Sequence, residues 1–381
     1  VFAGFLLKGF GSSASVDFTI CDAFKKCFTG GHFTVLGGSE EKPWQFDRLY
    51  KYEITAQLKD HNIHYDEDYH FHVHITALNG TELDSKLIPE PSVLFEPAHE
   101  ELHLVKVAPN NIRRNLKDLE ERDIQSLQAA LRDLQLDNTK DGWANIASFH
   151  GSPARCPDPD HPTVACCVHG MPTFPHWHRL FTLQIEQALH RHGSSIAIPY
   201  WDWTMAIADL PDTFTKEDYY DVWRDEVVPN PFAHGLISSE NTYTVRDVQE
   251  EIHYTHKDGK HSYLLYLILD VLQQTNYCDF EVQFEIVHNT MHYLIGGHQT
   301  YSLSSLEYSA YDPIFFIHHS FTDKIWAVWQ ELQKRRHLHY NRADCALNFL
   351  NEPLKPFSFE GFNLNKFTRE HAVPNTLFNH E

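Results

Sequence analysis

The chain carries 28 histidines, and three groups of them have spacings that could hold a metal ion. His288 and His292 stand four apart in EIVHNTMHYLIGG. On a helix both imidazoles then leave one face, one turn apart, which lets two rings hold one ion. His318 and His319 follow in DPIFFIHHSF, where Asp312 can cap a helix and Pro313 can begin it. Adjacent helical residues diverge by about 100°, so one of this pair can face a shared centre while the other faces elsewhere. The third group is His150 in ASFHG with His169, His176 and His178 in CCVHGMPTFPHWHRLF. Pro175 suits a first helical turn. On that helix His178 shares a face with Phe181, Ile185 and Leu189 and points inward. His176 is rotated roughly 160° from it, so one metal does not take both. His70, His72 and His74 alternate along YHFHVHI and read instead as the solvent face of a strand whose Tyr69, Phe71, Val73 and Ile75 face a core.

No HExxH occurs, and no carboxylate stands in an obvious ligand position among the three helical groups. An all-imidazole donor set suits copper, zinc, nickel or iron better than magnesium or calcium. Spacing alone does not choose among them. The seven cysteines are an odd number. Cys21 and Cys27 bracket a short loop and could close a local disulfide. Cys166 and Cys167 are adjacent, and pairing in twos leaves one thiol free, buried or bonded to another chain.

The elements that must position these residues fall into two regions. Residues 1 to 104 read as short strands separated by GG, NG and PEP turns: VFAGFLLKG, SVDFTI, HFTVLGG, LYKYEIT, YHFHVHITAL, SVLFEPA and ELHLVKV. Such a series predicts a sandwich or barrel. The pattern changes near VAPNN, and residues 105 to 381 read as mainly helical. Leu116, Leu119, Ile124, Leu127, Leu131 and Leu134 form one stripe, broken at DLEERD. Further helices are expected in FPHWHRLFTLQIEQALHRH, EVQFEIVHNTMHYLI and PIFFIHHSFTDKIWAVWQELQKRRH. The polar, proline-broken end from 346 carries no convincing long element. The N-terminus VFAGFLLKGFG lacks a basic n-region, so it reads as a strand and not a signal peptide. Asn79-Gly80-Thr81 is a glycosylation sequon in an expected turn. A formal net charge of -21 argues against nucleic acid as a partner. No run approaches the roughly 18 apolar residues of a membrane span.

The stretch VHGMPTFPHWHRLFTLQIEQALHRHGSSIAIPYWDWT resembles the first copper-binding region of molluscan haemocyanins, which are related to tyrosinases and catechol oxidases. VHNTMHYLIGG and YSAYDPIFFIHHSFTDKIWAVWQ resemble the second. The resemblance implies an α+β multidomain chain: an N-terminal antiparallel β-sandwich, then a mainly α-helical domain whose four-helix bundle holds a type-3 dicopper site. It assigns one copper to His150, His169 and His178, and the other to His288, His292 and His319. His176 and His318 match no ligand position. It also implies a thioether between Cys167 and His169 and the disulfides Cys156–Cys166 and Cys278–Cys345, which leave Cys21–Cys27. Asn289, beside His288, matches an asparagine that aids proton transfer in related oxidases. Phe315, with Phe174, Phe181 and Met291, would keep water and phenols from the metals.

VFAGFLLKGFG, CFTGGHFTVLGG, PWQFDRLYKYEIT and LIPEPSVLFEPA resemble the β-domain that ends a haemocyanin functional unit. Here that region comes first. The expected layout is therefore a unit boundary: residues 1 to 104 close one unit and residues 105 to 381 begin the next. Leu36 matches the leucine that reaches over the dicopper centre, and its target would then be another chain or fragment. The function implied is reversible dioxygen binding and transport at two copper ions, in a secreted, extracellular haemolymph protein. Its partners would be neighbouring units of the same polypeptide and other subunits of a large oligomer. Phenoloxidase activity at the same centre is the alternative, since both activities use the same ligands.

Overall fold

The computed structural model describes residues 2–7, 13–22, 24–35, 48–61, 63, 69–77, 80–84, 87–88, 91–94, 112–153, 166–167, 169–170, 172–336, 354, 356–357 and 379–380. The N-terminal region holds β1 (Phe2–Leu7), β2 (Ala14–Asp22), β3 (Cys27–Val35), β4 (Arg48–Glu53), α1 (Thr55–Asp60), β5 (Tyr69–Ala77) and β6 (Ser92–Leu94). They form two antiparallel three-stranded sheets, ordered β4-β1-β6 and β3-β2-β5. Alternation along each strand aims one face inward. Phe5 of one sheet meets Phe18 and Phe33 of the other at 4.7 and 5.1 Å between ring centroids. His70, His72 and His74 are exposed on β5, between buried Tyr69, Phe71 and Ile75. The strand expected at LYKYEIT stops at Glu53, and its last residues turn into α1. The strand expected at ELHLVKV, Leu36 and Asn79 lie outside the described residues.

The second region contains β7 (Ile112–Arg113), α2 (Glu121–Leu136), α3 (Trp143–Ala147), α4 (Phe174–Arg191), α5 (Asp212–Thr215), β8 (Asp218–Asp221), β9 (Glu226–Pro229), β10 (Leu236–Ile237), β11 (Thr242–Tyr243), α6 (Leu264–Gln273), α7 (Tyr277–Gly296), α8 (Ile314–Arg335) and β12 (Asn379–His380). The small hairpins β8–β9 and β10–β11 were not expected from the sequence. Helices α4, α7, α6 and α8 pack in a ring, each touching the next, and make the four-helix bundle. Asn276 caps α7 by accepting the Asp279 amide. Asp312 accepts the Ile314 amide at the start of α8, as expected. Gly297, at φ 54°, ends α7 in a backbone conformation that suits glycine.

Helix α7 is buried on nearly every side, its polar residues Glu285, His288, Asn289 and His292 included. One face enters the bundle. The other is covered by the N-terminal sandwich: Ile286 belongs to the sandwich core, Val282 packs beside it, and Tyr293 meets His32 of β3 at 5.5 Å. Leu36, expected to reach another chain or fragment, lies outside the described residues, while the sandwich lies against a helix of its own chain. The physical reason is the apolar outer stripe of α7, which gains from being removed from water. Among the described residues, no helix is long and apolar enough to cross a membrane.

Candidate metal centre

Two clusters of buried imidazoles face each other inside the bundle. His178 projects from α4, His288 and His292 from α7, and His319 from α8. His150 and His169 come from irregular backbone outside those helices. His150 Nε2 lies 3.3 Å from His169 Nε2. His288 Nε2 lies 3.1 Å from His319 Nε2 and 2.8 Å from His292 Nε2. The opposite ring nitrogens are occupied in five of the six rings, His319 Nδ1 being the exception. Nδ1 of His150, His178 and His292 each meets a backbone carbonyl, of Leu306, Phe174 and Leu303, at 2.9, 2.9 and 2.7 Å. His288 Nδ1 lies 2.9 Å from the Asn289 side-chain oxygen.

Those partners can only accept, so Nδ1 carries the proton and Nε2 presents a lone pair. Lone pairs facing one another at these distances repel unless a cation lies between them. Two nitrogens bound about 2 Å from one ion would be separated by roughly 3.3 Å. Burial, reinforced by the neighbouring imidazoles, holds His150, His178, His288 and His319 well below the ordinary histidine pKa. Burial pushes His292 down to about 3. Neutral imidazoles with fixed outward N–H bonds are what a soft or borderline transition metal requires.

The two clusters touch. His178 and His319 stack at 4.6 Å between centroids, and His169 lies 5.9 Å from His288. Phe315 wedges among rings of both sets, 4.9 Å from His150, 5.6 Å from His292 and 4.1 Å from His319. His176 points elsewhere: its Nδ1 is 3.2 Å from the Tyr277 hydroxyl, and its ring packs on Trp326. His318 is nearer than helical divergence alone suggested. It stacks behind His288 at 5.0 Å, with Trp203 at 5.9 Å, and a nitrogen of its ring falls within the second cluster.

Cys167 is a free thiol in this structure, and its sulfur lies among the nitrogens of His150, His169 and His178, 3.7 Å from His178 Nε2. Cys21 and Cys27 are bridged. Cys166 and Cys278 are each disulfide-bonded; their expected partners Cys156 and Cys345 lie outside the described residues. With its thiols consumed, the Cys21, Cys27 and His72 group is no thiolate metal site.

One important carboxylate escaped the sequence reading. Glu285, on α7, reaches across to the loop of the first cluster. It accepts the Gly170 amide at 2.8 and 3.0 Å and lies 3.3 Å from His169 Nδ1. It is buried. Its mark in the sequence is weak, an acidic residue about one turn before His288 on a helix that also carries Asp279 and Glu281. The loop that holds His169 is therefore tied to the helix that carries the other cluster.

The tyrosinase family model, described as the common central domain of tyrosinase, matches residues 140–332. The haemocyanin beta-sandwich model matches residues 1–97. That domain and the facing imidazole clusters define a protein of the type-3 dicopper class. The chain belongs to the molluscan haemocyanin family. It is 58% identical over 381 residues to Hemocyanin 1 of Megathura crenulata, matching 100% of this chain and 11% of that protein. It is 51% identical to Hemocyanin A-type, units Ode to Odg, of Enteroctopus dofleini, over 100% of this chain and 31% of that protein. A functional unit from octopus haemocyanin superposes with a TM-score of 0.63 at 40% identity, covering 71% of this chain and 68% of that one. The chain thus spans about a tenth of the length of the Megathura relative.

Proposed function

We propose that this chain is an oxygen-carrying segment of a multi-unit haemocyanin, binding dioxygen reversibly at two copper ions. His150, His169 and His178 hold the first, and His288, His292 and His319 the second. The observation that carries this reading is the pair of facing, neutral, all-imidazole clusters joined at the His178–His319 stack. Copper supplies the reversible electron donation that dioxygen binding needs. The protein supplies geometry. Carbonyl partners on Nδ1 aim Nε2 of His150, His178 and His292, Glu285 holds the His169 loop, and burial keeps protons off the rings. Phe315, packed against rings of both sets, would crowd a phenol at the centre and supports the carrier reading over phenoloxidase activity. Asn289 orients His288, and a Cys167–His169 thioether would lock one of the two ligands that stand outside the helices.

Residues 1–104 close one unit and residues 105–381 begin the next. Two findings support this layout: the sandwich match precedes the central-domain match, and the alignment to the much longer Megathura protein spans this whole chain. In this chain the sandwich covers α7, and Leu36 is the residue that would restrict access to a dicopper centre. Cys156–Cys166 and Cys278–Cys345 staple the helical domain. The partners are neighbouring units and other subunits, in an extracellular haemolymph protein glycosylated at Asn79.

The test is metal analysis joined to gas exchange. Two coppers per chain and an absorption band that vanishes on deoxygenation and returns with oxygen are expected. Fewer coppers, or rapid steady oxidation of catechol by the purified chain, would overturn the carrier reading.

A further inference from the structure

Beneath the stacked pair His178 and His319 lies a buried set of four charges that neither cluster uses. Arg179, the residue after His178 on α4, donates from Nε to Asp323 at 2.5 Å. Asp323 stands four residues after His319 on α8, one turn along. Arg113, on β7, donates from Nε to Glu186 of α4 at 2.8 Å and from its Nη1 to Asp323 of α8 at 3.0 Å. Arg179 also donates to Gln330 at 3.0 Å and lies over the Trp326 ring at 3.6 Å, both on α8. All four charged side chains are at most 4% exposed. The set is neutral overall.

We infer that Arg113, Arg179, Glu186 and Asp323 are positioning residues that set the spacing of α4 and α8, and through it the separation of the two coppers. This rests on the dicopper reading. His178 and His319 belong to different clusters, so the gap between their helices is also a gap between metals. Apolar packing alone tolerates sliding and repacking. Fork-shaped guanidinium bonds to one shared carboxylate fix direction as well as distance. A buried ion set contributes little net stability over an apolar replacement, so precision of the site is what its geometry offers. Arg113 touches both helices, so β7 is anchored to the same rail.

The test is the double variant Arg179→Met/Asp323→Leu in the full chain, which removes one charge of each sign and leaves Arg113 paired with Glu186. The parent, loaded with two Cu(II), should be silent in electron paramagnetic resonance because the two spins couple. The double variant should bind two coppers yet show a Cu(II) signal, and its half-saturation oxygen pressure should shift roughly tenfold, as small misplacements at a reacting centre do. Arg179→Lys, which keeps charge but loses the fork, should fall between and decides the matter if the double variant does not fold. Unchanged silence and oxygen affinity in the folded variants would overturn the inference. So would an equal signal from Leu131→Ala, in the core of α2. A parent that never binds two coppers would instead sink the dicopper reading itself.

Discussion

His178 and His319 stack with their ring planes 10° apart and centroids at 4.6 Å, although they stand on different helices and in different clusters. Each ring is thus part of the surface on which the other cluster rests. His178→Asn is expected to release the first copper and to weaken the second by removing the surface on which His319 rests. Copper analysis after dialysis should give one ion per chain or fewer, with no oxygen-dependent absorption. Two retained coppers would contradict the ligand assignment.

Glu285 couples the His169 loop to α7 through the Gly170 amide and the His169 ring. Glu285→Gln keeps the shape but turns one accepting oxygen into a donor facing an N–H. A cost of about 1–3 kcal/mol is expected, read as a lower thermal midpoint. A chelator should strip the first copper faster than in the parent. Equal stripping of both sites would show that Glu285 does not act through His169.

Cys167 sits where a bond to the His169 ring would rigidify the loop. In copper-loaded protein purified from an oxygenated source, the peptides carrying the two residues should resist reduction and alkylation at Cys167. Burial and the nearby Glu285 carboxylate hold this thiol well above the usual cysteine pKa. It therefore needs metal chemistry rather than simple thiolate attack. Full alkylation of Cys167 in unfolded native protein would refute the cross-link.

The metal-free protein should lose stability in acid. His150, His178, His288, His292 and His319 have folded pKa values below the unfolded value of 6.5. Below pH 6.5 the unfolded chain binds protons that the folded chain refuses, so unfolding is favoured. Above it these groups contribute no slope. For His292 the window runs from 6.5 to about 3, at up to about 1.4 kcal/mol per pH unit. Denaturant midpoints from pH 8 down to pH 4 should be flat at first and then fall. A midpoint that rises on acidification would contradict the neutral-imidazole picture.

Ile286 is buried between α7 and the sandwich. Ile286→Ala should cost about 2–5 kcal/mol through the cavity it opens. If the sandwich shields the centre, the variant should also oxidise catechol faster than the parent. Lost stability with unchanged catechol turnover would confine the sandwich to a structural role.

Much of this was legible in the residues. Period-two alternation marked β2 and β5, and the i,i+4 pair His288 and His292 lay on one helix because helical geometry is local. The divergence of His178 and His176 followed from the same geometry, although His176 is buried as well, against Tyr277 and Trp326. Local rules faltered where packing intervened. LYKYEIT ended in α1, and His318 was drawn close by stacking on His288.

The sequence by itself determined the donor chemistry, the two-part organisation and the family, because imidazole count, apolar period and motif order are properties of the chain. Only the tertiary structure decided that Glu285 reaches the His169 loop, that Phe315 stands between the clusters, and that Arg113 joins α4 to α8. It alone also laid the sandwich on α7. These contacts join residues distant along the chain, and no local periodicity encodes which buried face meets which. Burial and close packing select the partner.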